Sequence, residues 1–164
     1  MPLHVVLHRP EIPNNTGNIG RTCVAVGAVL RLIHPLGFDT SEKACRRAGL
    51  DYWPRLKLRE HESWAAYGRD ERPSRSWAFS TKSDRPVFNA DLRPGDHLVF
   101  GNETSGLPDS ILESLPGLFL PMLPGERSLN LATVVCAVLY EAVRQMLARG
   151  ELAIGPDHRL HTPR

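Results

Sequence analysis

The sequence predicts an α/β fold, a mostly parallel sheet with helices on both faces. Short apolar-rich runs recur at Leu3–Leu7, Val29–Ile33, Trp77–Thr81, His97–Phe100 and Leu118–Leu123, and helical patterns separate them. The later runs lack the one-sided alternation of a sheet wetted on one face, so they read as buried strands. At 164 residues the chain fits a single domain with a sizeable core, assigned to residues 1–150, while 151–164 read as a loose tail.

The elements follow in order. Leu3–Leu7 is the first strand, ended by the turn signal Pro10-Glu11-Ile12-Pro13-Asn14. A helix should begin near Thr16, capped by Asn15 or Thr16, with Ile19, Cys23 and Val26 on one face and Gly27 at its end. After the strand Val29–Ile33, Ser41 caps a short helix whose last turn carries Arg46 and Arg47 before Gly49. A strand at Leu56–Leu58, a helix around Ser63–Tyr67 and the helix Asp109–Leu115 complete the middle of the chain. The helix from about Asn130 to Arg149 offers Val134, Val135, Val138, Leu139 and Ala142 to the core.

Composition excludes several classes. The longest nearly uncharged stretch, Leu129–Tyr140, falls short of the roughly 20 apolar residues of a bilayer span. His4, His8 and Arg9 interrupt the N-terminal apolar run before a signal sequence develops, and a cytoplasmic protein is expected. Cys23, Cys45 and Cys136 are far apart and read as reduced thiols, and the seven histidines form no metal-ligand pattern. The net charge of +2 hides an asymmetry. Residues 1–82 carry thirteen basic and eight acidic side chains, residues 83–164 seven and ten. The first half therefore offers a face for a polyanion.

In a parallel sheet, ligands collect beyond the carboxyl ends of the strands. Four loops leave those ends: Pro10–Arg21, Ser80–Asp84, Gly101–Pro108 and Pro121–Asn130. Asn14, Asn15, Ser128 and Asn130 taken singly are helix caps and turn formers, and Arg21 alone is a solvated arginine. Together the loops supply amides, glycines, serine, one arginine and Glu103. Such a set suits a neutral or zwitterionic ligand better than a triphosphate, and neither nucleotide-binding glycine fingerprint is present. No histidine lies in these loops, so a Ser-His hydrolase would have to bring His8 or His34 to them, and G-x-S-x-G is absent.

The same loops, in the same order, resemble the SPOUT-type RNA 2′-O-methyltransferases, and most closely their short bacterial members acting on the 2′-oxygen of cytidine or uridine 34 of tRNA. The resemblance covers roughly residues 2–148 and rests on PEIPNNTGNIGR from Pro10 to Arg21, FGNETSGLP from Phe100 to Pro108 and RSLNL from Arg127 to Leu131. It implies a trefoil knot on the C-terminal side, S-adenosylmethionine as methyl donor with no metal, a homodimer, and the tRNA anticodon stem-loop as partner. Carried over by position, the catalytic set is Arg21, Asn15, Glu103, Ser128, Asn130 and Tyr140. The cofactor positions are Phe79, Gly101, Leu120 and Ser128. Because a guanidinium with a pKa above about 12 is a poor base, Arg21 is expected to position the hydroxyl or a phosphate and to stabilise alkoxide character. The Lys43–Arg59 region is the candidate RNA grip. Gly20, Asn102 and Phe79 depart from the family's usual residues. The alternatives are methylation at another tRNA or ribosomal RNA site, and a non-catalytic RNA-binding module of the same fold.

Overall fold

A computed structural model describes residues 2–47 and 49–163. Six parallel strands form the sheet in the order β3-β2-β1-β5-β4-β6: β1 His4–His8, β2 Val29–Ile33, β3 Lys57–His61, β4 Ser76–Phe79, β5 His97–Phe100 and β6 Gly117–Leu118. Register is continuous across the middle, with His4 beside both Val29 and His97 and Leu7 beside both Leu32 and Phe100. The expected strand Leu118–Leu123 shrinks to two residues. Beyond it, Leu120 to Leu123 run as loop.

The helices are α1 Pro13–Val26, α2 Glu42–Arg47, α3 Trp64–Glu71, α4 Asp109–Leu112 and α5 Leu131–Ala148. On one face of the sheet, α1 and α5 enclose a core in which Val5, Leu7, Leu30, Leu32, Leu98 and Phe100 of the strands meet Ile19, Val138 and Leu139 of the helices. The other face packs Val6, Ile33, Ala78 and Val99 against Tyr67 and Ile111. Val135, Val138, Leu139 and Ala142 are buried as expected, each large side chain stabilising the fold by about 2 kcal/mol, whereas Val134 is only half-buried. Helix α5 is apolar and long enough by composition to cross a membrane, yet its apolar face is taken up by the core.

Two details differ from expectation. Helix α1 starts at Pro13 with Ile12 as N-cap and no capping side chain, so Asn15 and Thr16 lie inside the helix. Pro13 suits the first turn because its missing N–H has no helical partner there. Ser41 does cap α2, accepting from the Ala44 amide at 3.3 Å. Ala48 and the side chain of Arg46, both assigned to this helix, lie outside the described residues. Finally, the segment read as a loose tail carries an antiparallel ribbon, β7 Ala153–Ile154 with β8 Leu160–His161, anchored by Leu152 on the core and by Arg149 bonded to Glu151.

Candidate functional site

The loops at the carboxyl ends of β1, β4, β5 and β6 and the start of α5 wall a cavity of about 490 Å³, within the range of small-molecule sites. Phe79, Gly101, Leu120 and Ser128 all line it, as do Asn15, Glu103 and Asn130. Three of these form a relay. The Asn130 amide donates to Asn15 Oδ1 at 3.0 Å, and Asn15 Nδ2 donates to Glu103 Oε1 at 2.9 Å. Glu103 also accepts from the Glu11 and Ile12 amides, at 2.9 and 3.3 Å. Its carboxylate thus clamps the turn entering α1 to the loop after β5. Asn130 meanwhile caps α5, accepting from the Ala132 and Thr133 amides at 2.9 and 3.3 Å. The carboxylate of Glu11 adds a further strap, accepting from the Thr104 hydroxyl at 2.5 Å. Sequence reasoning passed over Glu11 because a turn carboxylate beside proline carries no signal of a partner 93 residues away.

The loop Gly101–Leu107 owes its shape to its own backbone. A Cβ on Gly101 would lie 2.0 Å from the Gly106 carbonyl carbon and 2.2 Å from the Leu107 nitrogen, so closure of the loop itself requires glycine here. Gly106 has φ +71°, a conformation that favours glycine. Asn102 braces the turn by accepting from the Ser105 amide and hydroxyl at 2.7 and 2.9 Å.

Apolar and polar walls are segregated. Phe79 stacks on Phe100 with centroids 4.6 Å apart and, with Leu118, Leu120, Leu131 and Val134, offers a surface for a flat apolar ring. Ser80, Thr81, Ser128 and the relay amides offer hydrogen bonds. Lys82 lines the cavity, but its ammonium is 2.8 Å from Asp109. A cavity with this lining fits a molecule with an aromatic base and a polar zwitterionic end, and lacks the cation cluster a triphosphate requires. Among the described residues no group of three His, Cys, Asp or Glu is placed to hold a metal ion.

Two candidates stand elsewhere. Arg21 does not line the cavity: its guanidinium lies 4.4 Å over the Tyr52 ring and 3.7 Å from Asp51, on an exposed side chain. Tyr140 is half exposed on α5 and also outside the cavity. Gly20, a departure from the family pattern, packs α1 closely, since a Cβ there would meet Leu56 at 3.1 Å and Trp53 at 3.2 Å.

Comparison with known proteins shows which family the chain resembles in sequence and fold. Residues 2–140 match the family model described as SpoU rRNA Methylase family. A Saccharophagus degradans protein named tRNA (cytidine(34)-2′-O)-methyltransferase is 46% identical over 146 residues, covering 87% of this chain and 95% of its own. The Escherichia coli K12 protein of the same name is 44% identical over 147 residues, covering 88% and 94%. A structure described as giving insight into 2-OH methylation of C/U34 on tRNA superposes with TM-score 0.84 at 48% identity, over 90% of this chain and 97% of its own. The SpoU methyltransferase AviRb from Streptomyces viridochromogenes, in complex with the cofactor AdoMet, has TM-score 0.75 at 28% identity, over 90% and 61%.

Proposed function

Because the chain belongs to the SpoU rRNA methylase family, we propose that it transfers the methyl group of S-adenosylmethionine to the ribose 2′-oxygen of nucleotide 34, a cytidine or uridine, of tRNA. The cavity carries this reading. Its apolar wall of Phe79, Leu118 and Leu120 suits adenine, and its hydroxyls and amides suit the amino-acid end of the donor. Bound there, S-adenosylmethionine supplies an electrophilic methyl carbon on a sulfonium. Relatives at 44–46% identity, named for cytidine 34 of tRNA, support the substrate.

The chain's own contribution is alignment. Displacement at a methyl carbon needs the attacking oxygen, carbon and sulfur in line, and holding them so supplies much of the rate. The Asn130–Asn15–Glu103 relay ties the two loops and the α5 start into one rigid wall. Arg21 lies six residues beyond Asn15 on α1, so its Cα faces about 120° away around the helix. The arginine is therefore assigned to the cavity of a second copy, packed through the outward sides of α1 and α5 where Tyr140 is exposed. There its planar fork holds the 2′-oxygen or adjoining phosphate and stabilises developing negative charge. The trefoil crossing belongs to the same reading, supported by the return of the chain from edge strand β6 to α5, which packs on α1.

The test is direct. Incubation with labelled methyl donor and unmodified bulk tRNA should label the ribose of nucleotide 34. Label on another tRNA ribose or on ribosomal RNA redirects the substrate, and donor binding without transfer to any RNA leaves a binding module.

A further inference from the structure

A second cavity, of about 230 Å³, opens on the opposite side of the first turns of α1. Asn14, Thr16 and Asn18 line it from α1, Phe38 and Thr40 from the loop after β2, and Trp53 from the 3-10 turn Trp53–Arg55. Two features mark it as built for a ligand. Thr16 is only 1% exposed, yet its Oγ1 has no hydrogen-bond partner among the described residues. Such a hydroxyl normally finds a partner, so a polar edge entering the cavity would complete it. The walls also pair aromatic rings with amides, the combination that holds a flat heterocycle with a polar rim.

Asp39 also lines the cavity, and the basic groups stand outside its wall. Asn14, Asn18 and Arg21 follow one another at spacings of four and three along α1, so Arg21 stands on the helix face that lines this cavity. Its guanidinium rests on Tyr52, whose hydroxyl donates to the Gly17 carbonyl. Lys43, Arg47 and Arg55 are exposed on α2 and the 3-10 turn beside it. A ligand with its ring between Phe38 and Thr16 would carry its anionic link toward Arg21.

The geometry points to a nucleobase subsite. One unpaired base of the RNA loop enters the 230 Å³ cavity, stacks on Phe38, bonds Thr16 Oγ1 by its edge, and so delivers the adjoining backbone to Arg21. This rests on the RNA-methylation reading and adds to it the means by which a loop nucleotide is held.

The experiment uses the full chain and a synthetic anticodon stem-loop, with RNA binding followed by fluorescence anisotropy and transfer by label. Phe38→Ala should weaken RNA binding about tenfold, and Thr16→Val, which keeps shape and removes the hydroxyl, about threefold, with S-adenosylmethionine affinity unchanged. Abasic ribonucleotides are then placed singly before, at and after nucleotide 34. At one of these positions Phe38→Ala should cause no further loss, because the base it contacts is gone. Binding by both variants within twofold of wild type, or losses that multiply with every abasic position, would overturn the subsite. Failure of the underlying reading shows separately, as absence of label at nucleotide 34 with the unaltered protein.

Discussion

Asn15 and Arg21 belong to the same helix but serve different surfaces: the Asn15 amide donates to Glu103 at 2.9 Å inside the cavity, while the Arg21 guanidinium lies 4.4 Å over Tyr52 outside it. Supply of Arg21 to a neighbouring copy predicts complementation. Arg21→Ala and Glu103→Ala should each be inactive alone. Subunits mixed by unfolding and refolding should recover about a quarter of wild-type turnover, since half the dimers are mixed and each of those has one intact site. No recovery would place the arginine in its own subunit's site. Arg21→Lys, which keeps the charge and loses the fork, should lower kcat about a hundredfold, and near-normal turnover would remove its positioning role.

Glu103→Gln tests the clamp. The glutamine has one accepting oxygen where the carboxylate uses two to hold the Glu11 and Ile12 amides and the Asn15 side chain. A loss of about 1–2 kcal/mol in urea unfolding is expected, with donor affinity, read by calorimetry, falling alongside. Unchanged affinity would show that the relay is not part of the donor's wall.

The two glycines of the β5 loop should differ in severity. Gly101→Ala forces a methyl to 2.0 Å from the Gly106 carbonyl carbon, so the loop must rebuild and donor binding should be lost. Gly106→Ala meets nothing within 4 Å and carries only the strain of its φ of +71°, about 1 kcal/mol. Melting temperatures and donor titrations in parallel would show the order, and an equal effect of the two would contradict the account of Gly101.

Acid should weaken the sheet face opposite α1. His4 and His97 stack at 4.2 Å, and the Tyr67 hydroxyl is 2.6 Å from His97 Nδ1. Burial, and then the charge of Arg31, holds His4 down to about 4, while burial, His4 and Arg31 hold His97 down to about 4. An unfolded histidine titrates near 6.5, so from there down to about pH 4 the unfolded chain binds more protons, and stability falls as pH falls through that window. The total is on the order of 2 kcal/mol, discounted for the partial exposure of His4. Urea midpoints from about pH 7 to about pH 4.5 should decline, and His97→Gln should flatten the decline.

The sheet was legible because buried parallel strands leave apolar runs that periodicity detects, as at Val29–Ile33 and His97–Phe100. What ran through them was less so. Arg31, in the middle of β2, is 3% exposed and is paired with Glu71 forty residues later and with His4 at 2.7 Å. No local pattern announces such a partner. Burial would raise the Glu71 carboxyl, but Arg31 and Arg59 outweigh it and hold it below the usual range. The four loops were legible as a group through residue type and order, and their convergence in one cavity follows from the parallel sheet. The direction of Arg21 was not, because helical phase relative to Asn15 depends on α1 beginning at Pro13 rather than near Thr16. The second cavity left no such sign, since Phe38 carries no motif and Thr16, within the Pro10–Arg21 motif, reads only as a helix cap.

The bonds that bring Asn15 to Glu103 and Asn130 span 88 and 115 residues of chain. Contacts between such distant points form late, after nearer neighbours have condensed. A nascent polypeptide emerging from the ribosome can therefore complete β1, α1 and β2 early, yet the cavity beside Asn15 and Glu103 stays unfinished until Asn130 is synthesised and docked. Competence for chemistry is among the last properties this molecule acquires.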